Sequence, residues 1–121
     1  MSKNPVTEEH AAKFAAYVGD WSDRLSLGDW RITVSPKRSP NKVMAECYGF
    51  DLEQRSVSIR LGKDFASTPV TDKELSKLAL HECLHIFNHE LIEAARSQKA
   101  DDSVSSLEHR CINVLERLLG D

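Results

Sequence analysis

The chain has few cysteines, no basic excess and no long hydrophobic run, and each shortage removes a class of protein. Its three cysteines, Cys47, Cys83 and Cys111, are an odd number with no C-x-x-C pair, so a disulfide framework is not expected. Free thiols suit a reducing compartment, and the cytoplasm is the expected location. No apolar run approaches the roughly 18 residues that span a bilayer. The opening Met1–Thr7 carries no apolar secretory core, so no signal is expected. Lys and Arg number 16 against 19 Asp and Glu, a net charge of −3, which leaves no basic footprint for nucleic acid. Positive charge gathers only at Lys37, Arg38 and Lys42, a solvated loop or else a phosphate or partner contact. Repeats, low-complexity tracts and dividing linkers are also missing. What is present is 121 residues, 40% hydrophobic and 29% charged, expected as one domain over 1–121 with enough chain for a core.

Thr7 is a good helix N-cap, and Phe14, Val18, Trp21 and Leu25 recur at i, i+4, i+7 and i+11. This predicts a first helix to about Leu25, which Gly28 stops. Trp30, Ile32 and Val34 alternate with polar residues as a half-buried strand. Ser35–Asn41, with Pro36 and Pro40, reads as a loop. A second strand is expected from Val43 to about Phe50, then a turn over Asp51–Arg55, then a third strand in which Val57, Ile59 and Leu61 alternate. Short connections make a small, largely antiparallel meander the default. Thr71-Asp-Lys-Glu74 is a capping box, after which Leu78, Leu80, Leu84, Phe87 and Leu91 support a helix to about Arg96. Ser97–Asp102 breaks the pattern. A last helix follows, with Val104, Leu107, Cys111, Val114, Leu115 and Leu118 on its apolar side and Gly120 at its end.

His81-Glu82-Cys83-Leu84-His85 stands inside the long helix and matches H-E-x-x-H. Residues four apart stack on one helix face, so His81 and His85 aim two imidazole nitrogens at one point. Zinc takes imidazole nitrogens at about 2.0–2.1 Å, and a two-histidine clamp supplies them with little reorganisation. Glu82 lies about 100° around the helix from His81, beside the ion and not on it. There it takes a proton from a zinc-activated water as general base. That arrangement hydrolyses peptide bonds. The plainer reading makes both histidines ordinary members of an amphipathic helix.

A catalytic zinc normally has three protein ligands, so one more must come from elsewhere. His89 follows His85 by one turn, but His81 and His89 lie about 12 Å apart along a continuous helix and cannot share an ion. It reads as a supporting or surface residue. Glu108 is the stronger candidate, because it sits in the last helix's apolar stripe with Cys111, Ile112 and Leu115. A carboxylate on a buried face is costly unless a partner such as a metal meets it. Ser105-Ser-Leu-Glu108 is also a capping box, in which Glu108 would only satisfy the helix start. His109, Asp101 and Asp102 are the fallback ligands. If the last helix returned strictly antiparallel, the residue level with His85 would come later than Glu108, so an angled crossing or a fold-back is expected.

These residues resemble a known group. His81-Glu82-x-x-His85 followed by Glu108 is similar to the zincin metallopeptidases, of the gluzincin type with a downstream glutamate ligand. The order helix, three strands, H-E-x-x-H helix, closing helix is similar to their minimal core. The chain most resembles small single-domain metallopeptidase-like proteins of phage and prophage genomes, with SprT-like and ImmA-like domains as distant relatives. The resemblance implies an α+β fold with a small, mostly antiparallel three-stranded sheet, and one zinc ion per chain held by His81, His85 and Glu108. It implies Glu82 as general base and a protein or peptide substrate. It also implies that substrate adds as a strand to the sheet's edge, with Ser56–Leu61 or a neighbouring strand in that part. An oxyanion stabiliser is implied too, for which His109, Tyr48 and Arg110 are candidates. The chain departs from its larger relatives in two ways: no zinc ribbon follows the domain and no helix-turn-helix is evident, so no nucleic-acid role is expected. The alternative function is a zincin-fold binding module that holds zinc without cutting.

Cys83 lies about 200° around the helix from His81 and is expected to face the core as an inert thiol. Cys111 reads the same way. Trp21 and Trp30 are expected as core anchors.

Overall fold

The first helix is set by its cap. The His10 N–H donates to Thr7 Oγ1, and the Thr7 N–H donates back to the His10 ring at Nδ1, satisfying two donors that a helix start leaves open. The structure, a computed structural model, describes residues 3–98 together with Glu108, His109, Ile112, Asn113, Glu116 and Arg117 of the closing segment. Helix α1 runs over Glu8–Arg24 and buries Phe14, Val18 and Trp21, the predicted stripe.

Three strands follow: β1 (Arg31–Val34), β2 (Ala45–Asp51) and β3 (Ser56–Leu61). They form one sheet in the order β1-β3-β2, with β1 parallel and β2 antiparallel to β3. The α+β class and the three strands match expectation. The meander does not, because β3 and not β2 holds the centre, and the sheet is mixed.

The connection from β1 to β2 explains this. Past β1, the N–H groups of Ser35 and Ser39 keep donating to the Ile59 and Leu61 carbonyls, so the chain runs on beside β3 without turning back. It then passes over the end of β3, where the Gly62 N–H donates to the Met44 carbonyl at 2.7 Å. A Cβ on Gly62 would stand 1.8 Å from the Val43 carbonyl oxygen, so the crossing this close requires glycine. The crossing delivers β2 to the far edge of β3, and β2 returns antiparallel. The β2–β3 hairpin closes where Asp51 Oδ1 accepts from the Gln54 N–H and Arg55 adopts a φ of 52°.

The Glu74 N–H donates to Thr71 Oγ1 at the start of helix α2 (Asp72–Gln98). Leu75, Ala79, Leu80, Cys83 and Leu84 of α2 are buried against α1 and the sheet. Val57, Ile59 and Leu61 of β3 alternate into the same core, and Ile112 of the closing segment is buried there too. Trp21 and Trp30 are core residues, and the Trp21 indole N–H donates to Ser76 Oγ at 3.0 Å, tying α1 to α2. Phe87 departs from its expected place on the apolar stripe. It is 53% exposed, bordering a hollow with Leu25 and Leu27 just past the end of α1. Val104, Leu107, Cys111, Val114, Leu115, Leu118 and Gly120 lie outside the described residues. Among the described residues no helix is long and apolar enough to cross a membrane.

Candidate metal centre

Helix α2 carries His81 and His85 one turn apart, and their Nε2 atoms stand 3.2 Å from each other. The closing segment supplies what lies behind the rings. Glu108, Ile112 and Glu116 are each in helical backbone at a spacing of four, which puts them on one face. Glu116 hydrogen-bonds His81 at Nδ1, and Glu108 Oε2 lies 3.2 Å from His85 Nδ1. Ile112, between them in sequence, is fully buried. The earlier glutamate meets the later histidine, so this face runs antiparallel to α2, with Glu108 level with His85. A strictly antiparallel return would put a later residue at that level, and an angled crossing or fold-back is expected in order to bring Glu108 there. Glu108 is the residue found beside His85.

With an ionised glutamate beside a neutral ring, Nδ1 is the donor and the lone pair is on Nε2. Between two such rings, whose Nε2 atoms are 3.2 Å apart, a metal ion or a proton on one Nε2 relieves the repulsion of the lone pairs. Two nitrogens bound tetrahedrally at about 2.0–2.1 Å would be about 3.3 Å apart, close to the spacing found. The donor set therefore fits a zinc ion.

His109 completes a triplet. One nitrogen from each of His81, His85 and His109 lies within 4.8 Å of the others, and the His109 ring stands edge-on to His85 at 5.4 Å between centroids. Glu108, the expected third ligand, is instead on the Nδ1 side of His85, turned away from the point where the Nε2 atoms converge. Of the other fallback ligands, Asp101 and Asp102 lie outside the described residues.

Glu82 is 4% exposed and borders a cleft of about 370 Å³ together with His81 and Glu116. Burial pushes its carboxyl above the usual range, opposed by the nearby His85 and His81. The opposite wall of the cleft is Val43, Met44 and Ala45, where the chain enters β2. β2 is an edge strand, whereas Ser56–Leu61, one of the strands expected to bind substrate, is central and paired on both sides. Cys47 of β2 donates its thiol to the Glu82 carbonyl at 3.4 Å. Cys83 is fully buried and its thiol is pushed up to about 12 by burial, as befits an inert core thiol.

The remaining candidates have other surroundings. His89 stacks on Phe50 at 3.9 Å and meets Trp30 edge-on. Tyr48 lies beneath the Arg60 guanidinium, 4.3 Å from its ring centroid. Arg38 is bound to Glu8 and to the Thr7 and Pro36 carbonyls, so the cationic loop is tied to the fold at that residue. Arg110 lies outside the described residues. Sequence reasoning missed Glu116, although Glu108-x-x-x-Ile112-x-x-x-Glu116 was a readable signal of two acids flanking an apolar residue on one helix face. No family model, curated protein or solved structure matches the chain.

Proposed function

We propose that the chain is a zincin-like zinc metallopeptidase that hydrolyses peptide bonds, with His81, His85 and His109 holding one zinc ion. The observation that carries this reading is the pair of Nε2 atoms 3.2 Å apart, each on a ring whose Nδ1 is committed to a glutamate. Zinc bound there supplies Lewis acidity, bringing the pKa of water toward neutrality and polarising a carbonyl. Glu108 and Glu116 hold the two rings in the tautomer that presents Nε2. Glu82 accepts the water's proton and passes it to the leaving amine. Its burial favours this role, because a carboxyl raised above its usual range is a better base. The cleft between α2 and the start of β2 receives the peptide, whose backbone pairs with the outer edge of β2. The thiols of Cys47 and Cys83 are unpaired, which supports a reducing, cytoplasmic setting.

The test is digestion of an unfolded protein such as casein by the zinc-loaded chain and by its Glu82→Gln variant. Cleavage by the former, reduced about 10²–10⁴-fold in the latter with zinc retained, is the expected result. Equal cleavage by both would remove Glu82 from the reaction. Zinc retention with no cleavage by either would favour the binding module.

A further inference from the structure

The cleft does not stop at Glu116. On the other side of that side chain is a second hollow of about 480 Å³, bordered by Trp21, Ser76, Lys73, Lys77 and Arg117. Lys77 and Glu116 line both spaces, so the second hollow adjoins the metal cleft directly. Lys73 and Lys77 are one helical turn apart on α2, and Arg117 reaches the hollow from the closing segment. Among the described residues none of these three cations has a carboxylate partner. Of the neighbouring acids, Asp72 is paired with Lys13 and Glu116 with His81, while Glu74 borders the metal cleft beside Lys77. Ser76 accepts from the Trp21 indole, which leaves its own hydroxyl proton to donate. In a chain of net charge −3, this is a concave site built to receive negative charge.

We infer that the hollow recognises carboxylate side chains of an acidic peptide substrate beside the bond to be cut. The inference rests on the peptidase reading above and names its substrate class. Lys77 and Lys73 precede His81 by one and two turns, about 6 and 12 Å along the helix. An extended peptide advances about 3.3 Å per residue, so the preferred carboxylates lie about two to four residues from the scissile bond. Three separated cations, with Glu116 among them, suit discrete carboxylates. A continuous phosphate backbone would meet the repulsion of an acidic protein.

The experiment measures binding, on the zinc-loaded Glu82→Gln chain, of labelled, capped polyalanine octapeptides carrying either two glutamates or two glutamines. Exposed ion pairs are individually weak, so three together predict about tenfold tighter binding of the glutamate peptide, diminishing with added salt. The triple variant Lys73→Gln, Lys77→Gln, Arg117→Gln should lose that preference with zinc content unchanged. Equal binding of the two peptides by the Glu82→Gln chain, or a preference that persists in the triple variant, overturns the inference. Tighter binding of a single-stranded oligonucleotide than of the glutamate peptide overturns it as well. Zinc content is read on the same samples, so loss of the metal reading is seen separately from loss of the peptide preference.

Discussion

The Nε2 atoms of His81 and His85 face each other at 3.2 Å, while Glu116 and Glu108 hold the Nδ1 sides of the two rings. That spacing matches two nitrogen ligands of one tetrahedral zinc ion, as proposed above. The geometry is set from two directions, by the turn of α2 and by carboxylates that stand four residues before and four residues after the buried Ile112.

The backing carboxylates should therefore control metal affinity without binding the metal themselves. Replacing Glu108 or Glu116 by Gln frees the ring to flip or change tautomer, and each is expected to weaken zinc binding about 10–100-fold. Competition against a chromogenic chelator measures this. An affinity change as large as that of His85→Ala in the Glu108→Gln variant would instead make Glu108 a ligand.

Gly62 controls the cleft from the side of the sheet. Because a Cβ there would collide with the Val43 carbonyl, Gly62→Ala must displace the crossing that leads into β2, at a cost of about 1–3 kcal/mol. Chemical denaturation gives the stability change. The same displacement moves Val43–Ala45, the wall opposite His81, so peptide cleavage should fall more than zinc content does.

Glu46 gives the fold an acid-sensitive tie. The Ser39 hydroxyl holds its carboxylate below the usual range, helped by Arg60, whose Nε is 2.6 Å away, and by Asn41, against the opposing effect of burial. A folded value below the unfolded one means that the contribution is complete above the ordinary carboxylate value of about 4.3 and is lost as the pH falls through the folded value. The melting temperature of Glu46→Gln should lie below that of the parent at neutral pH, and the two should converge as the pH drops below about 4. Parallel curves over the whole range would show that the ionised form contributes nothing.

Much of this was legible locally. The caps at Thr7 and Thr71, the stripe through Phe14, Val18 and Trp21, and the alternation of Val57, Ile59 and Leu61 are near-neighbour patterns, and the elements followed them. The four-residue spacing of His81 and His85 is likewise a property of one helix. Sheet order was not legible, because it depends on how the 35–44 chain passes Gly62, a contact with no local signature. The cost of burying Glu108 signalled a partner, and that partner is the His85 ring. Adjacent residues on a helix point about 100° apart, so whether Glu108 or His109 turns toward the Nε2 atoms depends on the rotation of the closing segment against α2, which no spacing rule gives.

The most direct measurement of the central claim is zinc content, by native mass spectrometry, of protein purified without added metal, alongside His85→Ala and His109→Ala. One zinc per chain, lost in His85→Ala and lost or greatly weakened in His109→Ala, is the predicted result. A chain that holds no zinc and takes none up when zinc is added would contradict the account.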